Sequence, residues 1–289
     1  MEIAIISGKG GTGKSTICAA FASLKQGTLL ADCDVDAANM HILFTPEIES
    51  EEVFTGAETA VIDYSKCTNC GICLSYCRFD AISFNNSKIE ISPVFCDGCR
   101  LCTRVCPENA IQMVESNASR LYTANYRYGK MVYGLLAPGE ENSGRLVNLV
   151  RDKAKNIAKD MGYDNIVIDG PPGIGCPVIS TITGVDHVIV VAEPTQSGLH
   201  DLKRTLEMTQ QFNLKSWVLI NKSDLNETVS DEVQIFCDSV GVEILAKIPF
   251  DEKVVESMVN CLTIPEYMQG SQVHDMLQSA LIKILEYEE

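Results

Sequence analysis

The chain has 289 residues, which is long enough for one large domain or two smaller ones around a sizeable hydrophobic core. Its 23 basic and 39 acidic side chains give a net charge of −16 at pH 7, an excess that disfavours nucleic acid and anionic membrane surfaces as partners. No apolar run is long enough for a membrane span, and the early glycine-rich loop leaves no room for a removable leader. The thirteen cysteines are odd in number and eight of them are clustered, which favours metal ligation in the reducing cytoplasm over disulfides.

The first predicted elements are an apolar strand from Glu2 to Ser7, a glycine-rich loop and an apolar helix to about Leu24. Unpaired N–H groups and the helix dipole converge on such a loop and make it an anion site. The loop fits both the dinucleotide fingerprint, with Asp32 or Asp34 as ribose partner, and the Walker A pattern. The Walker pattern is favoured, because a dinucleotide needs neither a lysine for β- and γ-phosphates nor a hydroxyl for Mg²⁺. The predicted nucleotide and Mg²⁺ residues of the loop are Gly8, Gly10, Gly11, Thr12, Gly13, Lys14, Ser15 and Thr16.

A second cation, Lys9, stands at the front of this loop. The run from Lys9 through Lys14 to Thr16 resembles the deviant Walker motif of the MinD/ParA/Mrp superfamily and of the nitrogenase iron protein. In that class two subunits sandwich two nucleotides. The resemblance implies that Lys9 reaches the phosphates of the partner subunit, where it supplies charge much as an arginine finger does. A solvated loop lysine is the alternative.

Two further strands end in acidic residues. Leu29 to Asp32 leads into a segment that resembles the first switch of the class, which implies that Asp34 orients or deprotonates the attacking water and that Asp32 lies nearer the Mg²⁺ shell. The run from Asn165 to Asp169 is a buried parallel strand of Walker B type, whose carboxylate holds a Mg²⁺-bound water. The Gly-Pro-Pro-Gly turn after it is predicted to be a second switch that senses the γ-phosphate.

Between about Tyr64 and Glu115 the pattern changes to two cysteine quartets, each spaced C-x2-C-x2-C-x3-C. Each cysteine recurs after 29 residues, as Cys67 and Cys96 do, so the segment is an internal duplication. This is the bacterial ferredoxin spacing, in which three cysteines hold one 4Fe–4S cluster and the fourth reaches the other. Two zinc sites are the alternative, although paired C-x2-C knuckles fit zinc better. The predicted ligand sets are Cys67, Cys70, Cys73 and Cys106 for one cluster and Cys96, Cys99, Cys102 and Cys77 for the other.

The two quartets differ in the residue that follows the last cysteine. Pro107 follows Cys106, as the ferredoxin pattern predicts, but Arg78 follows Cys77. We hypothesise that a cation beside that cluster raises its reduction potential.

A later strand, Ser216 to Asn221, is predicted to end at the same edge of the sheet. The resemblance implies that Asn221 contacts the base and that the segment around Pro249 covers it. Asn-Lys-Ser-Asp224 is also the guanine-reading pattern, so ATP is favoured and GTP stays open. Strands over Met131–Ala137, His187–Ala192 and Val242–Ile248 alternate with helices near 144–161, 198–212, 229–240 and 252–260, which predicts a parallel sheet covered on both faces.

The resemblance covers nearly the whole chain and includes residues 135–144, 169–180 and 193–203. It implies an α/β P-loop NTPase fold with a mostly parallel sheet between helices, plus a small α+β insert like a bacterial ferredoxin. The predicted ATPase domain comprises residues 1–60 and 117–289, and the predicted insert comprises residues 61–116.

Cys176 lies seven residues after Asp169, inside the predicted second switch. A cysteine at that offset ligates a cluster shared by two subunits in the nitrogenase iron protein. The favoured interpretation is a small buried thiol beneath the switch. A dimer-interface or transient metal-binding role is the hypothesis kept beside it.

Three functions follow. The first is a Mg²⁺-dependent ATPase with slow basal turnover that serves metallocofactor maturation or cluster delivery. It would act as a homodimer, or as a heterodimer with a paralogue, on a client metalloprotein or scaffold. The second is an ATP-gated electron donor to a redox acceptor, and the third is spatial positioning of the MinD kind. A membrane-targeting helix has a basic polar face, whereas the C-terminal apolar stripe is flanked by acids and is expected to pack in the core. The stripe is Val273, Met276, Leu277, Ala280, Leu281, Ile284 and Leu285, and the acids are Asp275, Glu286, Glu288 and Glu289.

Overall fold

The computed structural model describes residues 1–56, 58–85, 87–115, 117–138, 140 and 143–287. The strands are β1 (Glu2–Ser7), β2 (Thr28–Asp32), β3 (Glu47–Phe54), β4 (Glu58–Ile62), β5 (Ile82–Asn85), β6 (Lys88–Ile91), β7 (Ile111–Glu115), β8 (Ser119–Tyr126), β9 (Gly129–Leu135), β10 (Asn165–Pro172), β11 (His187–Ala192), β12 (Lys215–Asn221) and β13 (Glu243–Ile248). The helices are α1 (Lys14–Leu24), α2 (Met40–Phe44), α3 (Ile72–Tyr76), α4 (Leu101–Val105), α5 (Ser143–Met161), α6 (Cys176–Ile182), α7 (Gln196–Gln211), α8 (Glu227–Ser239), α9 (Glu252–Val259), α10 (Ile264–Tyr267) and α11 (Gln272–Leu285).

A nine-stranded sheet forms the centre of the described chain, in the order β13-β12-β11-β1-β10-β2-β9-β8-β3. The strands from β13 to β9 run parallel, whereas β8 is antiparallel to both β9 and β3. Because β1 lies between β10 and β11, the loop that follows β1 opens at a crevice where ligands of such sheets bind.

Successive side chains of β1 point to opposite faces and enter two different cores. Ile3 and Ile5 pack with α1, α10 and α11, whereas Ala4 and Ile6 pack with α5, α6, α7 and α8. Helices therefore cover both faces of the sheet, as the sequence predicts. No helix of the described residues is long and apolar enough to cross a membrane.

The C-terminal apolar stripe lies in the core, as expected. Leu277 and Ile284 of α11 are fully buried against the face that holds α1. Two of the acidic residues that flank this stripe in the sequence, Glu288 and Glu289, lie outside the described residues.

Residues 58–115 form a separate small unit between β3 and β8, here named the cysteine unit. β4 pairs with β7 and β5 pairs with β6, both antiparallel, and α3 packs on α4. The unit has its own apolar cluster, which includes Ile62, Ile82, Ile89 and Ile111. Because β4 begins at Glu58, the unit starts before the boundary at 61 that the sequence predicts, and the predicted end at residue 116 lies outside the described residues.

The antiparallel edge of the main sheet was not predicted. β3 has the sequence EIESEEVF, and nearly all its side chains are exposed, so it has no apolar alternation that would predict a strand. Basic side chains of neighbouring elements form ion pairs with its acidic side chains: Arg120 of β8 pairs with Glu51, and Lys153 of α5 pairs with Glu52 at 2.6 Å. The cysteine unit leaves and rejoins the sheet through the adjacent strands β3 and β8.

Candidate functional site

The glycine loop joins β1 to α1 and is shaped by close contacts with distant elements. Gly13 precedes α1 as its N-cap in the left-handed conformation at φ 89°, and a Cβ there would lie 2.3 Å from Asn221 Nδ2. Asn221, at the end of β12, donates to the Thr12 carbonyl at 2.8 Å and so fixes the loop. Gly8 is packed as tightly, because a Cβ there would lie 2.5 Å from Asp201 Cβ of α7.

Lys14 lies between two carboxylates at the base of the loop. Its Nζ is 3.1 Å from Asp169 Oδ1 and 3.3 Å from Asp34 Oδ2. Burial alone lowers the pKa of Lys14, but the two carboxylates outweigh it and raise that pKa above its ordinary value. The ammonium therefore stays charged, as a phosphate ligand requires.

Asp169 is fully buried within β10, and burial raises the pKa of its carboxyl while the Lys14 ammonium opposes that shift. Within the described residues its Oδ2 accepts no hydrogen bond. A buried carboxylate oxygen without a donor, beside the P-loop hydroxyl of Ser15, fits Mg²⁺ or a Mg²⁺-bound water.

Asp32, predicted to lie nearer the Mg²⁺ shell, is close enough to Asp169 and Lys14 for their charges to act on its carboxyl, and backbone N–H groups bind both of its oxygens. Its Oδ1 accepts from the backbone N–H of Asp34 at 3.1 Å, and its Oδ2 accepts from those of Asn39 and Met40, both at 3.2 Å. Burial, with the nearby charge of Asp169, raises the pKa of Asp32 to about 8. The carboxylate at the end of β2 is surrounded by the N–H groups that begin α2, so it shapes the predicted first switch.

A cleft of about 570 Å³ opens over this loop, a size suited to a small-molecule ligand. Asp34 and the exposed Asp36 stand on one wall, and Pro171 and Pro172 of the predicted second switch stand on another. The structure thus brings the loop and both predicted switches to one cleft. The loop residues that line it are Gly10, Gly11, Thr12, Gly13, Lys14, Ser15 and Thr16.

The predicted base-binding residues lie beside the loop. Asp224 Oδ1 accepts from the backbone N–H of Phe250 at 2.7 Å, so it ties the Pro249–Phe250 segment to the end of β12. Lys222, which the sequence analysis did not single out, donates to the Gly11 carbonyl at 3.2 Å.

Lys9 contacts the start of α7 in its own chain. Its Nζ is 2.5 Å from Glu193 Oε1, 3.1 Å from Thr195 Oγ1 and 3.2 Å from Ser197 Oγ. Partial burial raises the pKa of Glu193, but Lys9 and Lys222 lower it overall. The sequence analysis did not assign Glu193 a role, although its place directly after β11 puts it at the ligand edge of the sheet.

The eight clustered cysteines line two separate cavities of the cysteine unit. Each cavity receives three cysteines from one quartet and the fourth from the other, the grouping that the ferredoxin spacing predicts. The first cysteine cavity is lined by Cys67, Cys70, Cys73 and Cys106, and the second cysteine cavity by Cys77, Cys96, Cys99 and Cys102.

Backbone donors point at sulfur in both cavities. Ala110 N–H donates to Cys106 Sγ at 3.3 Å, and Ala60 N–H donates to Cys96 Sγ at 3.4 Å. Such donors favour thiolates, the form that ligates metals. In the described residues no three Cys, His, Asp or Glu side chains lie close enough to share a single ion. In a cluster each iron takes its own thiolate, so the four sulfurs stand around a wide group rather than around one ion.

Cys176 is exposed at the start of α6. The favoured interpretation, a thiol buried beneath the second switch, is therefore wrong. The Pro-Pro-Gly turn carries the chain outward, so that Cys176 meets solvent while Val178 and Ile182 of the same helix face the core.

The fold and the glycine loop define a nucleotide-binding protein of the P-loop class, built on a mostly parallel sheet. The profile of the family described as CobQ/CobB/MinD/ParA nucleotide binding domain (CbiA) matches residues 3–264. The chain belongs to this family.

Relatives cover the chain almost end to end. The uncharacterized protein MJ0578 of Methanocaldococcus jannaschii is 32% identical over 99% of this chain and 97% of its own. A protein of Pyrococcus abyssi named iron-sulfur cluster carrier protein is 21% identical over 93% of this chain and 80% of its own. The solved structure of the septum site-determining protein MinD of Pyrococcus horikoshii with Mg-ADP has a TM-score of 0.59 at 17% identity, covering 99% of this chain and 96% of that one. It shares the fold.

Proposed function

We propose that this protein is a Mg²⁺-dependent, dimeric ATPase of the cytoplasm that carries two 4Fe–4S clusters. It couples ATP binding and hydrolysis to the assembly or delivery of an iron–sulfur cluster or other metallocofactor on a client protein. The observation that carries the proposal is the presence, in one chain, of a P-loop cleft and of two cavities lined by four cysteines each. The relative named iron-sulfur cluster carrier protein supports the same class of function.

The nucleotide chemistry needs only groups at the cleft. Lys14 and the loop N–H groups hold the phosphates, while Ser15 and Asp169 hold Mg²⁺. Asp34 orients the water that attacks the γ-phosphorus, the bond to the β–γ bridging oxygen breaks, and ADP and phosphate leave. Lys9 of a second subunit adds charge in the transition state, so turnover is slow until a dimer forms.

The two cysteine cavities fit iron–sulfur clusters by the chemistry of their donors. Each offers four thiols, a backbone N–H donor to sulfur and apolar side chains in its lining. Bound there, a cluster supplies low-potential electrons. The chain holds it with sulfurs from both halves of the duplication.

The switch and the cysteine unit are neighbours along the chain. Asp32 binds the N–H groups that begin α2, and Arg127 donates to the Phe44 carbonyl that ends it at 3.2 Å. β3 follows and leads into the cysteine unit, whose linker at Thr55 lies against Arg145 of α5. A movement at Asp34 therefore has a short path to the clusters.

An anaerobic pull-down tests the proposal. Asp34→Asn protein with ATP is expected to hold the closed dimer on its client, and mass spectrometry identifies the trapped protein. Iron in the client, measured before and after release of the wild-type protein by hydrolysis, is expected to rise. A client whose iron never changes would count against delivery.

An ATP-gated electron donor is the second candidate, and the shared ligation favours it. Cys77 and Cys106 cross between the halves, so a cluster leaves only if both halves separate. Electron donation predicts that dithionite-reduced protein with ATP reduces the acceptor while its own iron content stays constant. Delivery predicts that its iron falls.

A further inference from the structure

The two halves of the cysteine unit have diverged where they line their cavities. A shift of 29 residues superposes Cys67 on Cys96, and the same shift pairs Gly71 with Arg100. Gly71 lines the first cysteine cavity and Arg100 lines the second. One half thus presents a cation where the other presents no side chain.

Arg100 holds this position in an unfavourable backbone conformation. Gly71 caps the N-terminus of α3 at φ 76° and Arg100 caps that of α4 at φ 61°, both in the left-handed region. Glycine adopts that region without a steric penalty, whereas a residue with a Cβ does not. A strained backbone that keeps a long cationic side chain beside a cavity indicates that this side chain has a functional role.

Two other differences between the halves act in the same direction. Glu108 lines the first cysteine cavity, and its counterpart in the second, by the same shift, is Phe79. Arg78 follows Cys77, whereas Pro107 follows Cys106.

Two anions oppose this trend. Asp97 lines the second cysteine cavity, and Glu58, which accepts from Arg100 Nε at 2.9 Å, is not among its lining residues. The lining charges therefore sum to about zero in the second cavity and to about −1 in the first.

We propose that the cluster of the second cysteine cavity has the higher reduction potential of the two, and that Arg100 is the residue that sets the difference. This inference rests on the proposed function, since it requires both clusters. Reduction adds one electron, and thus one negative charge, to a cluster, so a nearby cation stabilises the reduced form. An electron supplied by a reductant such as dithionite then comes to rest in the second cavity, whichever cluster receives it first.

A redox titration followed by electron paramagnetic resonance tests this on the anaerobically purified full chain. The variant is Arg100→Gly, which gives the second half the residue of the first and relieves the backbone. Arg100→Lys keeps the charge. The matched control is Arg104→Ser, which removes a cation of α4 that is not among the lining residues and restores the counterpart Ser75.

The wild-type protein is expected to show two midpoints, and Arg100→Gly is expected to lower the higher one while the other stays. Because Arg100 is 56% exposed and so partly screened, we expect the reduced-to-oxidised ratio at fixed potential to fall about threefold to tenfold, or about 28 to 59 mV for one electron. Arg100→Lys and Arg104→Ser are expected to titrate as the wild type does.

Movement of the lower midpoint, or of neither, overturns the inference and leaves the proposed function standing. A shift in Arg104→Ser equal to that in Arg100→Gly shows a general effect of surface charge and also overturns it. Wild-type protein that holds no clusters when its iron is measured overturns the proposed function as well.

Discussion

Lys9 Nζ and Glu193 Oε1 lie 2.5 Å apart, so the lysine that resembles a partner-directed residue is bound within its own chain. The contact is at the surface, where an ion pair contributes little stability, about 0 to 1 kcal/mol. A second subunit that offers phosphate charge can therefore draw Lys9 away from Glu193 at low energetic cost.

Lys9→Ala is expected to reduce ATP hydrolysis by about 1,000-fold or more, the contribution of a cation supplied in trans, with little loss of ATP binding. Asp34→Asn, which keeps Lys9, is expected to be equally inactive. The two variants are then mixed in equal amounts in a phosphate-release assay. In a mixed dimer, the Asp34→Asn subunit supplies an intact Lys9 to the Lys9→Ala subunit, which has an intact Asp34. About a quarter of the wild-type rate is then expected, because about half of the randomly formed dimers are mixed and each mixed dimer has one competent site of two. No recovery on mixing would show that Lys9 acts in cis.

Lys14→Ala is expected to destabilise the protein as well as to prevent nucleotide binding. The change leaves Asp169, fully buried, and Asp34 without their counter-charge, at a cost of about 3 kcal/mol in the free energy of unfolding. Urea denaturation without nucleotide measures it.

Two further variants show whether the loss of stability comes from the missing charge of Lys14 or from its missing packing. Lys9→Ala, a matched control at the surface, is expected to change stability by less than about 1 kcal/mol. Lys14→Ala with Asp169→Asn is expected to recover part of the loss, because the uncompensated charge is gone. An equal loss in the double variant would mean that packing of the lysine, and not charge, is responsible.

The elements that carry motifs could be predicted from the sequence, because the conformation of each motif depends on residues that are close together along the chain. The P-loop needs Gly13 in a left-handed turn before Lys14, and the cysteine grouping follows from spacing alone. Contacts between distant segments could not be predicted. Asp32 turns to the N–H groups of α2 because the chain folds back after the first switch, and Glu193 reaches Lys9 because α7 packs on Gly8. The exposure of Cys176 depends on how α6 lies against the sheet, which no local pattern encodes.

The lowered pKa of Glu266 predicts that the stability of the folded protein falls as the pH becomes acidic. Partial burial raises the pKa of Glu266, but hydrogen bonds from Arg127, the Thr263 N–H and Tyr128 outweigh it and lower the pKa from 4.5 to about 2. A carboxyl whose folded pKa is depressed contributes stability above its unfolded pKa and loses it as the pH falls. The contribution is thus full above pH 4.5 and disappears towards pH 2.

Glu266→Gln is therefore expected to lower the free energy of unfolding by about 1 kcal/mol at pH 7, a value reduced for solvent screening. The difference from the wild type is expected to shrink to nothing near the folded pKa of about 2. Urea titrations at several pH values measure it, with the exposed Glu207→Gln of α7 as control. A difference that is the same at every pH would contradict the ion pair.

Paired cysteine variants test how the eight thiols divide between the clusters. Cys67 and Cys106 line one cavity, whereas Cys67 and Cys77 line different ones. The double variant Cys67→Ser/Cys106→Ser is expected to lose one cluster and to keep about four of the wild-type total of about eight irons. Cys67→Ser/Cys77→Ser is expected to lose both, with iron and acid-labile sulfide measured on anaerobic protein.

Ligation by consecutive quartets predicts the reverse, because Cys67 and Cys77 then serve one cluster. The same two variants therefore separate crossed from consecutive ligation without any assumption about redox properties. Cys176→Ser is the matched control, since this thiol is exposed on α6 and lines neither cavity among the described residues. Its iron content is expected to equal that of the wild type, and a loss of iron there would assign Cys176 a metal-binding role in the dimer.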